Sequence, residues 1–218
     1  MRVVVVGAGA WGLPTAAELA RRGHSTILLD RHGAAHQLGS SSGPTRLWRL
    51  SHPDRLRVRL AQRSVEAWER LERDSGITAI LYRGLLWRDD VTSGLVADAL
   101  AAEGVQHTVV DPDDVGRFFP GLRADGRTGV WQETAGPVLA RAALDAQAGL
   151  FAMAGGRIVV GPVVRGIDAG PDGVALTCED GRRFDADVAV LAAGPGSGAL
   201  LDELGIDVRL HPVLEQVC

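Results

Sequence analysis

The chain has 218 residues, 46% of them hydrophobic, enough to bury the core of one large domain or two small ones. Its formal charge is −4 and all 23 of its basic residues are arginine, which argues against nucleic acid or an anionic membrane as main partner, because both reward a basic face. Two cysteines, Cys178 and Cys218, make no disulfide framework and have no metal-ligand spacing, and no apolar run approaches the roughly 18 residues of a bilayer span, so a reducing, cytoplasmic setting with no bound metal is expected.

The first element is a β-branched run, Arg2 to Val6, bounded by Gly7, which reads as a parallel strand buried on both faces. A helix follows with Leu13, Ala16, Ala17, Leu19 and Ala20 on its apolar face, Pro14 in its first turn and Gly23 at its end. Ser25 to Leu29 is a second strand closing on Asp30. From Arg31 to Ser51 periodicity disappears into a Gly-, Ser- and His-rich loop, long enough to imply a task. Asp54 to Asp74 then reads as an amphipathic helix, with Leu56, Leu60, Val65, Trp68 and Leu71 as its expected buried stripe.

Further on, a strand is expected at Leu85 to Arg88, a helix around Leu95 to Ala102, a strand near His107 to Val110 and a short helix opening at Asp111. A strand at Gly129 to Gln132 and an alanine-rich helix at Leu139 to Ala154 come next. The last strands expected are Arg157 to Val160, Val163 to Asp168, Val174 to Cys178 and Val188 to Leu191, with "PDG" and "EDG" marking tight turns.

Gly7, Gly9 and Gly12 form G-x-G-x-x-G between a strand and a helix, with Ala10 inside the turn. Gly7 permits the turn, Gly9 lets backbone approach a pyrophosphate, and Gly12 allows helix and strand to pack closely, leaving the helix N-terminus toward the anion. Asp30 closes the second strand about 20 residues on, where an acid accepts hydrogen bonds from ribose hydroxyls. NAD and FAD share this turn.

Two later stretches discriminate. "GSSSGPTRLWRL" (residues 39–50) and "DADVAVLAAGPGS" (residues 185–197), together with the opening stretch, resemble the flavin-dependent amine and amino-acid oxidases of the D-amino-acid oxidase superfamily, especially the sarcosine oxidase and N-methyltryptophan oxidase branch. Gly39, Ser40, Gly43, Thr45, Arg46 and Arg49 match that family's loop. The resemblance implies an α/β fold: a Rossmann-like, glutathione-reductase-like FAD-binding domain (1–82 and 138–209) with part of an inserted α+β substrate domain (83–137 and 210–218). It implies FAD as cofactor, with Asp30 and Arg31 at the adenosine ribose, and Ser40, Ser41, Thr45 and Arg46 along the pyrophosphate and flavin. Val164 would give adenine a backbone contact, and Ala193 and Gly194 would be the second dinucleotide segment.

Arg46 and Arg49, three positions apart, would project to one side of a helical or turn segment, and an amino or imino acid needs a fixed cation for its carboxylate. The family assigns that carboxylate to the arginine matching Arg49 and a place near the flavin ring to the one matching Arg46, making these two the expected catalytic residues. Trp48 reads as the anchor of its loop and Trp11 as packing. Ser41 and Ser42 stand where many relatives carry histidine, so no covalent flavin bond from this loop is expected.

Family members continue past the segment matching "LHPVLEQVC" and carry a lysine near the flavin where oxygen is reduced; this chain has no lysine at all. A preorganised cation there stabilises a developing anion, and losing one such group costs on the order of 10²-fold or more in rate. The expectation is therefore the FAD-binding, N-terminal portion of an oxidase of a small carboxylate-bearing amine or amino/imino acid, using O₂, in which either arginine substitutes for the lysine, or a partner chain or a second copy completes the site, or oxidase turnover is poor. A flavin-binding subunit without catalysis is the alternative, and a nicotinamide-dependent dehydrogenase the disfavoured third, having no use for the serine-rich loop.

Overall fold

The structure is a computed structural model and describes residues 1–211 and 213. In chain order its elements are β1 (Arg2–Val6), α1 (Gly12–Arg21), β2 (Ser25–Asp30), β3 (Arg46–Trp48), α2 (Arg55–Ser75), β4 (Leu85–Trp87), α3 (Ser93–Ala102) and β5 (Thr108–Val110). A 3-10 turn at Pro112–Asp114 leads to α4 (Val115–Phe118), β6 (Gly129–Gln132), β7 (Gly136–Val138), α5 (Ala140–Met153), β8 (Arg157–Val160), β9 (Val164–Gly170), β10 (Gly173–Cys178) and β11 (Arg183–Ala186). β12 (Val188–Leu191), a second 3-10 turn at Gly194–Gly196 and α6 (Ser197–Glu203) complete it.

The chain divides into two compact units, residues 1–43 with 141–218, and residues 44–140. Residues 44–82, which the sequence groups with the FAD-binding segments, cluster here with the segment 83–137. Of the expected substrate-domain tail 210–218, residues 212 and 214–218 lie outside the described residues, as does Cys218.

The first unit is built on a four-stranded sheet of order β12-β1-β2-β8, every neighbour parallel. Successive side chains of a strand face opposite ways, so β1's valines serve two cores at once. Val3 and Val5 join Leu28 under α1 (Leu13, Ala16, Ala20) and α5 (Leu144, Phe151). Val4 and Val6 join Leu29 on the other face, against Val164, Leu176, Cys178 and Ala186 of the antiparallel β9-β10-β11 sheet and Leu200 of α6. Helices, parallel sheet and antiparallel sheet thus form three layers, and Cys178 is a buried core thiol whose pKa burial pushes up.

The second unit holds an antiparallel β4-β6-β5 sheet and the antiparallel pair β3-β7. Its centre is polar: fully buried Gln132 accepts, at Oε1, hydrogen bonds from Leu50 N (2.9 Å), Ser51 N (3.0 Å) and Ser51 Oγ (2.7 Å). Asp54 caps α2 by accepting from Arg57 N, and Gly76 ends it in a left-handed conformation (φ +73°).

The buried stripe of α2 differs from the expected one. Leu56 and Leu60 are exposed, while Val58 and Leu71 are buried and Val65 and Trp68 partly so, because the helix turns Val58 inward and carries the two leucines to its outer side. The loop 31–51 is also not wholly irregular, since β3 lies within it.

Candidate cofactor-binding site

The glycine turn sits at the C-terminal edge of the parallel sheet, where β1 and β12 end side by side. Gly7 has φ +106°, and an added Cβ would stand 2.3 Å from the Ala192 carbonyl oxygen. At Gly12 a Cβ would stand 1.8 Å from the Gly7 carbonyl oxygen. Both positions therefore need glycine for packing, and both pack toward Ala192, the residue before the expected Ala193. Gly9 is different: its missing side chain leaves room beside the Ser41 hydroxyl, which a Cβ would approach to 3.1 Å.

That hydroxyl accepts a hydrogen bond from Ala10 N at 2.9 Å, bringing the serine loop onto the glycine turn across 31 residues of sequence. Asp30, at the end of β2, accepts from Ala8 N at Oδ2 (2.8 Å) and from His32 N (2.7 Å) and Gly33 N (2.9 Å) at Oδ1. The carboxylate so stitches the first turn to the start of the long loop. α1 begins at Gly12 with no side-chain cap from Trp11; in its first turn Leu13 N donates to Gly9 O (3.1 Å), Thr15 N donates to Trp11 O (3.3 Å), and Pro14 has no N–H.

Gly7, Gly9, Ala10, Gly12, Asp30, Ser41 and Ala193 are thus gathered in one unit. Arg31 and Ser40 are exposed beside Asp30 and Ser41, and Gly194 takes φ +57° to turn the chain from β12 toward α6. Val164 opens β9 and is buried in the core under Leu29. Trp11 corrects its expectation: it is 83% exposed on the turn, because the helix start turns Gly12 and Leu13 inward and leaves Trp11 on the outer side.

Thr45, Arg46 and Arg49 belong to the second unit. Arg46 opens β3, paired with Val138, and its guanidinium donates to the Thr45 carbonyl. An extended strand alternates its faces, so a three-residue spacing does not put Arg46 and Arg49 on one side as a helix would. Arg49 is half-buried, its guanidinium 4.3 Å over the Trp87 ring, and burial lowers its pKa. Trp48 is buried, donates Nε1–H to Ser64 Oγ (3.2 Å) and meets Tyr82 edge-on, which is the anchoring arrangement.

Leu47, Trp48, Arg49, His52, Ala61 and Ser64 line an open concavity of about 370 Å³. His52, which the sequence left unremarked, is held toward its neutral form first by burial and then by the cations Arg49 and Arg57, with Asp54 opposing them. Ala192 and His52 were both missed. The doubled alanine before "GPG" was the available signal for the first; the second had none beyond its distance from Arg49.

An α/β dinucleotide cradle, with a glycine turn between parallel strand and helix, is the class that fold and site define. The chain belongs to the FAD-dependent oxidoreductase family, whose model matches residues 2–218. It is 29% identical to the peroxisomal sarcosine oxidase of Mus musculus and 28% identical to the monomeric sarcosine oxidase of Bacillus sp. (strain B-0618), in each case over 99% of this chain and 56% of the relative. Among solved structures, NikD, an unusual amino acid oxidase essential for nikkomycin biosynthesis, matches with TM-score 0.83 and 32% identity over 93% of this chain and 53% of that one. The chain spans about half the length of these relatives. Among the described residues, no helix is long and apolar enough to cross a membrane.

Proposed function

We propose that this chain holds FAD and forms the cofactor-bearing part of an oxidase that converts a small carboxylate-bearing amine or amino/imino acid to its imine, with O₂ as final acceptor. One observation carries the reading: Ser41 closes on Ala10 N–H beside Gly9, bringing the serine loop onto the glycine turn at the N-terminal end of α1, where the helix dipole favours a diphosphate.

Each residue then has a binding task. Gly9, Gly12, Ser40 and Ser41 receive the diphosphate, and Ala10 contributes by holding the Ser41 hydroxyl with its N–H. Asp30, with three of its four acceptor positions used, keeps one at Oδ2 for a ribose hydroxyl, with Arg31 alongside. Val164 offers adenine its backbone, and Ala193 and Gly194 let the cofactor approach the chain. Bound flavin supplies the two-electron acceptor, and the protein supplies orientation. Thr45 and Arg46 serve the flavin end. Arg49 clamps the substrate carboxylate, a task suited to a guanidinium that is partly desolvated and braced on an indole rather than spent on a carboxylate among the described residues. The cation that favours oxygen reduction comes from an arginine in place of the family's lysine or from another polypeptide that completes the site; without either, turnover with O₂ is slow.

The test is titration of the purified chain with FAD, followed by a peroxide assay with sarcosine and other small amino acids. Quenched flavin fluorescence and a yellow protein are expected. In whatever assembly turns over, Arg49→Met raises KM for carboxylate-bearing amines about 10- to 100-fold and leaves amines without a carboxylate nearly unchanged. A chain that ignores FAD but binds NADH refutes the reading.

A further inference from the structure

Resting on the reading of residues 7–41 as an FAD cradle, we infer that His36 is a positioning residue for it: as the Nε2–H tautomer, it holds the serine loop in the geometry that delivers Ser41 to Ala10. The tautomer follows from one bond. Leu38 N donates to His36 Nδ1 at 3.0 Å, so Nδ1 is the acceptor and the ring proton resides on Nε2. That Nε2 stands 3.7 Å from Asp30 Oδ1, the oxygen already receiving His32 N and Gly33 N, so the ring presents its positive edge to the carboxylate that anchors the glycine turn.

Backbone geometry converges on the same ring. Ala35, immediately before it, is a buried non-glycine residue with φ +51°, in the left-handed region that costs a residue with a Cβ about 1 kcal/mol or more. Such a conformation persists only when its surroundings fix it, and here it returns the chain so that His36 faces Asp30. Gly39, immediately ahead of Ser40 and Ser41, lies against the ring: a Cβ there would stand 3.0 Å from His36 Cε1. The His32 ring meets that of His36 edge-on at 5.0 Å. Loop residues 36–39 are therefore folded around one imidazole, and the next turn, closed by Ser42 N to Gly39 O at 3.0 Å, carries Ser41 to the glycine turn.

The two ring nitrogens are separable by substitution. Asparagine places its Oδ1 near the position of Nδ1 and can still accept from Leu38 N, whereas glutamine reaches the Nε2 position and leaves Leu38 N without its partner. Alanine removes both. We expect His36→Ala to weaken FAD binding about tenfold, the equivalent of one such hydrogen bond, and to speed amide exchange at Leu38 and Ala10 by a similar factor. His36→Asn should recover most of both losses and His36→Gln little of either, with the melting temperatures of all three close to one another. Long-range ¹⁵N NMR of the wild-type ring should report a proton on Nε2.

A proton on Nδ1, or unchanged exchange at Ala10 in His36→Ala, overturns the inference. So does an asparagine variant no better than alanine. Failure of the wild-type chain to bind FAD would instead overturn the cradle reading, and amide exchange alone would then decide whether His36 orders the loop.

Discussion

Replacing Gly12 with alanine tests the close approach on which the glycine turn depends. The new methyl would stand 1.8 Å from the Gly7 carbonyl oxygen and 3.2 Å from Ala192 Cβ, with backbone rather than a flexible side chain as the first obstacle. Helix α1 or the turn must therefore retreat by roughly 1.5 Å, an overpacking that costs about 1–3 kcal/mol. The helix-propensity gain of alanine over glycine, at most about 1 kcal/mol, is small at the first helical residue and does not offset it. For a chain of this size, each kcal/mol moves the melting temperature by about 2–4 °C, so a fall of roughly 3–10 °C is expected by circular dichroism. Gly149→Ala is the control: Gly149 is exposed within α5, has no atom within 4 Å of an added Cβ, and should raise the melting temperature by about 1–4 °C. Should Gly12→Ala melt at or above wild type while binding FAD equally well, the close packing of helix on strand would not be what position 12 requires.

Gln132→Leu keeps the volume but strands three buried donors of Leu50 and Ser51; a loss of about 2–4 kcal/mol in denaturant unfolding is expected, and a loss below 1 would refute the polar centre of the second unit. Phe151→Ala empties a fully buried ring site against which Gly156 is packed, and should cost about 3–5 kcal/mol in the first unit, measured the same way. His52 has its pKa lowered on folding, so its neutral form stabilises the chain above the ordinary value of 6.5 and that contribution is lost as pH falls below it. His52→Gln should accordingly lose less stability than wild type between pH 7 and 5; equal losses would mean that Arg49 and burial do not act on this ring.

Much of the first unit was legible because its signals are local. A run of β-branched residues ending in glycine, a small-residue helix and a second strand ending in aspartate name β1, α1 and β2 without tertiary information. β3 and β7 were not legible: Arg46–Trp48 has a charged start, and Gly136–Pro137–Val138 looks like a turn, yet each is a strand because the other is there to pair with it. β11, Arg183–Ala186, was not among the expected strands: it alternates charged and apolar residues over only four positions, and it is a strand because β10 is there to pair with it. The register of α2 was misread because Leu56 and Leu60 outweigh Val58 in hydrophobic content, while packing is decided by which face the helix turns inward. At the site, glycine spacing and Asp30 were readable, whereas the meeting of Ser41 with Ala10 and of Ala192 with Gly7 depends on chain crossings that spacing does not encode.

The central strand β1 takes one neighbour from residues 25–30 and the other from residues 188–191. The wall of the glycine turn supplied by Ala192 is therefore delivered last, after all of residues 44–140 have emerged from the ribosome, an interval on the order of ten seconds at ordinary synthesis rates. Until then β1 exposes one unpaired edge of four valines, and closing so long a loop makes assembly of the sheet slow relative to local structure. A nascent chain halted before residue 188 would carry every glycine of the motif and still lack a finished nucleotide pocket.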